Sequence, residues 1–144
     1  MISATHLHAM VIHFPIALLL IGFINEIIGI VFKKTFFNKT AFYLLILGTF
    51  GTIASYLSGD AAGEGMDGGT LGKAIELHEN AAIITLWLAI ITSIVYCAVN
   101  WFKYSNKWIK VASVLLFAAL IGGVSRTAYL GGQLVYNHGA GVEL

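Results

Sequence analysis

The sequence predicts an all-α, polytopic membrane protein built as a four-transmembrane-helix bundle. Three observations carry this. The composition is 58% hydrophobic and only 10% charged, where soluble domains average roughly 25% charged residues. Four apolar runs divide the chain, at about 10–32, 41–58, 81–102 and 109–130, each near the ~20 residues a helix needs to cross a bilayer core. The runs are continuous and lack the dyad alternation of membrane barrel strands. Helices satisfy their own backbone groups in lipid, so a helix bundle is the expected solution. Residues 1–144 read as a single domain without an internal repeat.

The first run opens on His6, His8 and His13, just before or just inside its apolar stretch. Pro15 either begins this helix or kinks it by freeing the carbonyl of Val11, and both options re-aim His13. His6 and His13 are seven apart and share a face if the helix starts early. Glu26, further along, is expected to pair with Lys33 or to face a neighbouring subunit, a proton-path role being the lesser reading. Gly48, Gly51, Thr52 and Ser55 let the second run approach its neighbours closely. Short linkers make the first and second runs, and the third and fourth, antiparallel hairpins.

Between the hairpins, 59–80 is expected as an outer loop. Its glycine-rich first half reads as loop. Its second half, Thr70 to Asn80, is either the exposed start of the third helix or a short surface helix. Asp60, Glu64 and Asp67 are a sparse set of oxygen ligands, but their spacing does not match an EF-hand. His78 heads a stripe of Ala82, Thr85, Ala89, Thr92 and Tyr96, small and weakly polar as a packing side is in lipid. In the fourth run Ala112, Leu116, Ala119, Gly123 and Arg126 form the corresponding stripe, which points Arg126 into the bundle. His138 follows that run in a glycine-containing tail.

Charge orients the whole. Lys33, Lys34, Lys39, Lys103, Lys107 and Lys110 gather at one end, with Phe36, Phe37, Trp101, Tyr104 and Trp108 as an interfacial belt. Asp60, Glu64, Asp67, Glu76, Glu79 and Glu143 lie at the other. By the positive-inside rule the lysine end is cytoplasmic. Both termini are then outside, in the periplasm if the membrane is a bacterial inner membrane. All five histidines fall at that outer end.

Several classes are excluded or unsupported. Cys97 is the single cysteine, so no internal disulfide forms, and no Cys-x-x-Cys-His motif attaches a c-type haem. The N-terminus lacks the basic region of a cleavable signal peptide. No basic cluster interleaves with exposed aromatics, so nucleic acid is not an expected partner. No nucleophile triad, phosphate-cradling glycine loop or catalytic carboxylate pair assembles, which favours a binding or electron-transfer protein over an enzyme.

The run His-x-x-x-x-His-Phe-Pro-x-Ala-Leu, His8 to Leu18, resembles the opening of a bacterial family of predicted membrane proteins, domain of unknown function 2231. Gly59-Asp60 after the second run, His78 at the third and Gly-x-x-Val-Tyr-x-His-Gly, Gly132 to Gly139, are similar to it too. The resemblance covers essentially the whole chain. Relatives fused or adjacent to cytochrome or Rieske-type domains imply a redox setting, with a cytochrome or another respiratory-chain component as partner.

The expected site is built from histidine, the commonest metal ligand. His13 and His78 start helices at the same end and so share a depth, where two imidazoles can hold haem b for electron transfer. His138 is a further ligand candidate, and Arg126 can neutralise a haem propionate. The same histidines also suit a copper or zinc ion, since imidazole binds both, and His6 and His8 can join His13 and His78 in such a small-ion site. A third reading makes the chain a non-catalytic subunit of a larger membrane complex or of a homo-oligomer, with histidines that only cap and hydrogen-bond.

Overall fold

The computed structural model describes residues 3–63, 68–103 and 106–140. The described residues form five α-helices and no strand: α1 (Ala4–Val11), α2 (His13–Val31), α3 (Thr35–Gly63), α4 (Gly69–Trp101) and α5 (Lys107–His138). With α1 and α2 taken as one broken helix, these give four spans long and apolar enough to cross a membrane.

The break between α1 and α2 has a local cause. Pro15 has no N–H for the carbonyl of Val11, and its ring crowds that carbonyl. The helix opens at Ile12, and the next bond, Ile16 N–H to Ile12 O, is long at 3.5 Å. His13 exploits the opening, its Nδ1 lying 2.7 Å from the Ala9 carbonyl. Pro15 itself is buried against Gly51, where a Cβ would meet its Cδ at 3.2 Å.

The helices outrun their apolar stretches. α3 continues to Gly63, so the start of the glycine-rich half expected as loop is helical, and α4 begins at Gly69, so Thr70 to Asn80 is the start of the third span, one of the two alternatives expected there. Glu64 and Asp67, two of the three residues of the expected oxygen-ligand set, lie outside the described residues. α5 likewise runs through His138, so the expected tail there is a last helical turn. Gly139 closes it with φ at +63°, its N–H bonding Val135 O at 3.0 Å while Ala140 N–H bonds Leu134 O at 3.0 Å. Hydropathy marks where lipid ends, whereas intrahelical hydrogen bonding continues into the interfacial layer.

Neighbouring helices pack in the order α2, α3, α4, α5 and back to α2, with α1 lying against α3. α2 and α4 therefore stand on a diagonal. Leu19, Leu45, Ala89, Phe117 and Leu120 have no exposed surface and close the centre. The rings of Phe23 and Tyr96 meet Phe117 edge-on, at centroid distances of 5.4 and 5.7 Å. Large apolar residues such as Ile24, Phe50, Ile84, Ile94 and Leu115 cover the outside, as contact with lipid requires.

Glycine sets which faces turn inward. A Cβ on Gly48 would lie 2.6 Å from Leu19 Cδ2, and one on Gly22 would lie 3.4 Å from Phe117 Cζ. The gap opposite Gly22 admits the Phe117 ring, and this rotates α5 from the expected face. Ser113, Phe117, Leu120 and Val124 are buried, whereas Ala112, Ala119 and Arg126, expected inside, are exposed.

Candidate functional site

The two most enclosed histidines at the histidine end are His8 and His78, both half-buried. His78 projects from α4 toward α5, its Nδ1 3.1 Å from the Thr127 carbonyl. A carbonyl only accepts, so Nδ1 carries the proton and Nε2 keeps its lone pair. His8 projects from α1 toward α3, its Nδ1 3.0 Å from Ser58 Oγ. The Ser58 hydroxyl donates to the Ser55 carbonyl at 3.0 Å. Its oxygen is then left to accept from His8 Nδ1–H, and Nε2 is again the free nitrogen.

Two glycines seat these rings. A Cβ on Gly59 would fall 2.9 Å from His8 Cε1, and one on Gly131 would fall 3.1 Å from His78 Cε1. The rings stand on opposite sides of the diagonal and are near enough to interact electrostatically. An oriented imidazole whose Nδ1–H is held by an acceptor is the arrangement of most metal-ligating histidines. Thr127 also bonds Thr85 Oγ1 at 2.9 Å through its hydroxyl, so α4 and α5 are tied directly below His78.

The other expected site residues stand elsewhere. His13 is exposed and its Nδ1 is committed to its own helix. Arg126 is exposed, one residue round α5 from its expected inward position. His6 and His138 are exposed as well. No group of three or more His, Cys, Asp or Glu side chains able to hold a metal ion occurs among the described residues.

These positions do not fit haem b held by His13 and His78. A porphyrin needs an open apolar slot flanked by both ligands. Here His13 points away from the interior, and Ala81, Thr85 and Val124 are buried and fill the space beneath His78. A Cβ on Gly123 would lie 2.9 Å from Thr85 Oγ1, so α4 and α5 leave no such slot between them.

The lysine end holds a second polar group. Glu26, expected to face Lys33 or another subunit, is buried and accepts from Asn38 Nδ2 at 3.3 Å. The buried residues of α2 are Pro15, Leu19, Gly22, Glu26 and Gly29, a strict four-three alternation. Extended backwards, that stripe passes Ile12 and reaches His8. The signal for His8 and for inward Glu26 was thus present in one heptad pattern, which the seven-residue pairing of His6 with His13 obscured.

Small residues and hydrogen-bonded hydroxyls buried between the helices, apolar surface facing outward and charged groups toward the ends define a polytopic helical membrane protein. The chain belongs to the family described as Predicted membrane protein (DUF2231), whose model matches residues 4–144. Comparison with curated proteins and with solved structures gives no match.

Proposed function

We propose that this protein binds a copper ion at its histidine end through Nε2 of His8 and Nε2 of His78. The observation that supports this reading is the pair of Nδ1 contacts, which leave Nε2 of both rings as the nitrogen with a lone pair, on rings near enough to interact electrostatically. Two neutral nitrogen donors suit monovalent copper, which accepts two-coordinate geometry. Zinc in a structural site takes four ligands. An ion held by two ligands is released readily to a partner offering more, so the reading is binding and hand-over at the membrane surface.

In the same proposal the lysine end is cytoplasmic, and the histidine end and both termini lie outside, in the periplasm of a bacterial inner membrane. A reporter fused after Leu144 is then active only outside the cytoplasm. Activity inside would place the copper site on the wrong side for this role.

Competition titration of the purified protein with a chromogenic copper(I) chelator tests the site. One ion per chain is expected. His8→Ala and His78→Ala should each weaken binding at least about 100-fold, the upper end of what even an outer-shell change costs. His13→Ala should not change it. A haem-supplemented protein with an α-band lost in both His13→Ala and His78→Ala would restore the haem reading. Binding of neither copper nor haem would leave the subunit reading.

A further inference from the structure

We propose that Glu26, with Tyr96 and Asn38, forms a reversible proton-binding site that opens toward the lysine end of the bundle. The proposal concerns the end opposite the copper site and does not depend on it.

Glu26 and Tyr96 lie on the diagonal helices α2 and α4 and are only 8% and 6% exposed. The Tyr96 hydroxyl sits beside the Glu26 carboxyl, which is its side-chain hydrogen-bonding neighbour, although the bond between them is not well formed. A buried polar atom without a partner is costly, and a carboxylate in a bilayer interior is costlier still. A proton on Glu26 removes the charge, and the Tyr96 hydroxyl, both donor and acceptor, can pair with the carboxyl in either state. As a neutral acid, Glu26 has an O–H that the Tyr96 oxygen can accept, while its other oxygen keeps the bond from Asn38.

The surroundings favour a proton over a metal cation. Asn38 turns its amide nitrogen toward Glu26, and an N–H dipole directed there opposes a cation. From α5 the group meets the ring of Phe117, which packs against Tyr96. Lys33, Lys34, Lys39, Lys103, Lys107 and Lys110 are exposed around this end, and none supplies a countercharge within the site.

A route exists on one side only. Asn38 lies in the first turns of α3 and is half-buried, so its amide spans from the carboxyl toward interfacial water. Gly29 makes that position possible: a Cβ there would fall 2.6 Å from Asn38 Cγ. Toward the histidine end Leu19, Leu45, Ala89 and Leu120, all without exposed surface, close the way, and the Thr49 and Ser93 hydroxyls in that layer are tied to each other and to backbone carbonyls. The exchange is a simple transfer: a hydronium ion at the lysine end gives its proton to the Glu26 carboxylate and becomes water, and the reverse step regenerates it.

Infrared spectroscopy of the full chain in lipid, without copper, tests this by titration. The protein should show a protonated carboxyl band at neutral pH that disappears on alkalinisation and returns on acidification. Glu26→Gln should remove it, and Tyr96→Phe should keep it at a shifted frequency. If Glu26→Gln does not assemble, the Tyr96→Phe shift still decides the assignment. A band that never titrates would make Glu26 a permanently neutral structural acid and overturn the proposal. Absence of the band at neutral pH, with a carboxylate signal that responds to sodium, would overturn it in favour of a cation site.

Discussion

The histidine end and the lysine end of this bundle carry polar groups on the same two diagonal helical spans, yet they are built in opposite ways. At the histidine end each imidazole is half-buried and has its own acceptor, Ser58 for His8 and Thr127 for His78. What remains unsatisfied there is a lone pair on each ring. At the lysine end the acid and the phenol are buried beside each other, with no well-formed bond between them and no cation to balance a charge among the described residues. What is unbalanced there is the charge that an ionised Glu26 would carry. His8 and Glu26 belong to one heptad stripe, so pattern alone does not separate them. Depth does: an imidazole near the interface stays accessible to an ion from water, whereas a carboxyl further in is reached most readily by something as small as a proton. The closed centre between them keeps each site to its own side.

The largest expected effect comes from disturbing one ring seat. In Gly59→Val the new Cβ would stand 2.9 Å from His8 Cε1, and the further methyl groups leave the imidazole no room. His8 must leave Ser58, so copper affinity should fall roughly 100-fold, as for loss of an orienting contact. The carboxyl band of Glu26 should be untouched. A variant that loses both would show that the ends are coupled through the centre and would break the comparison.

Gly48→Ala attacks the centre itself. Its Cβ would lie 2.6 Å from Leu19 Cδ2 and 3.4 Å from the Leu19 backbone nitrogen, so the fully buried Leu19 side chain must shift or α2 and α3 must separate. Overpacking of this kind costs about 1–3 kcal/mol. Unfolding in mixed micelles should report that loss, and leakage across the centre should appear as altered titration of Glu26. Unchanged stability would mean that Leu19 moves aside freely and that the closed centre is softer than its burial indicates.

Much of this fold is legible in the sequence because lipid imposes it. Continuous apolar runs fix four spans, and short linkers fix their pairing at the lysine end. The helix ends are less legible, since Gly59–Gly63 and the stretch up to His138 remain helical on hydrogen bonds that hydropathy does not register. Site residues depend on rotation about each helix, and a shift of one residue turns a side chain by about 100°. His78 and Tyr96 were placed correctly because the whole α4 stripe is small or polar. Arg126 was not, because the rotation of α5 is set by Phe117 entering the space opposite Gly22, a fact of two helices at once. His8 lay on the α2 stripe, beyond the break at Ile12 where the periodicity is hardest to follow.

Arg126 gives the smallest expected effect and sharpens the comparison for that reason. It precedes Thr127, whose carbonyl holds His78, but its own side chain is exposed. The Thr127 contact to His78 is made by backbone, which a change at the neighbouring side chain leaves in place. Arg126→Ala should therefore alter stability by no more than about 0.5 kcal/mol, as exposed substitutions do. Copper affinity should stay within about a factor of two, since 0.4 kcal/mol is all that such a factor represents. Had Arg126 pointed into the bundle, its removal would have left a cavity beside Thr85 and lost a cation near the histidines, and both measurements would move. A clear fall in copper affinity with unchanged stability would show the guanidinium folding back over the histidine end, where it would make that end less open than the lone pairs of His8 and His78 require.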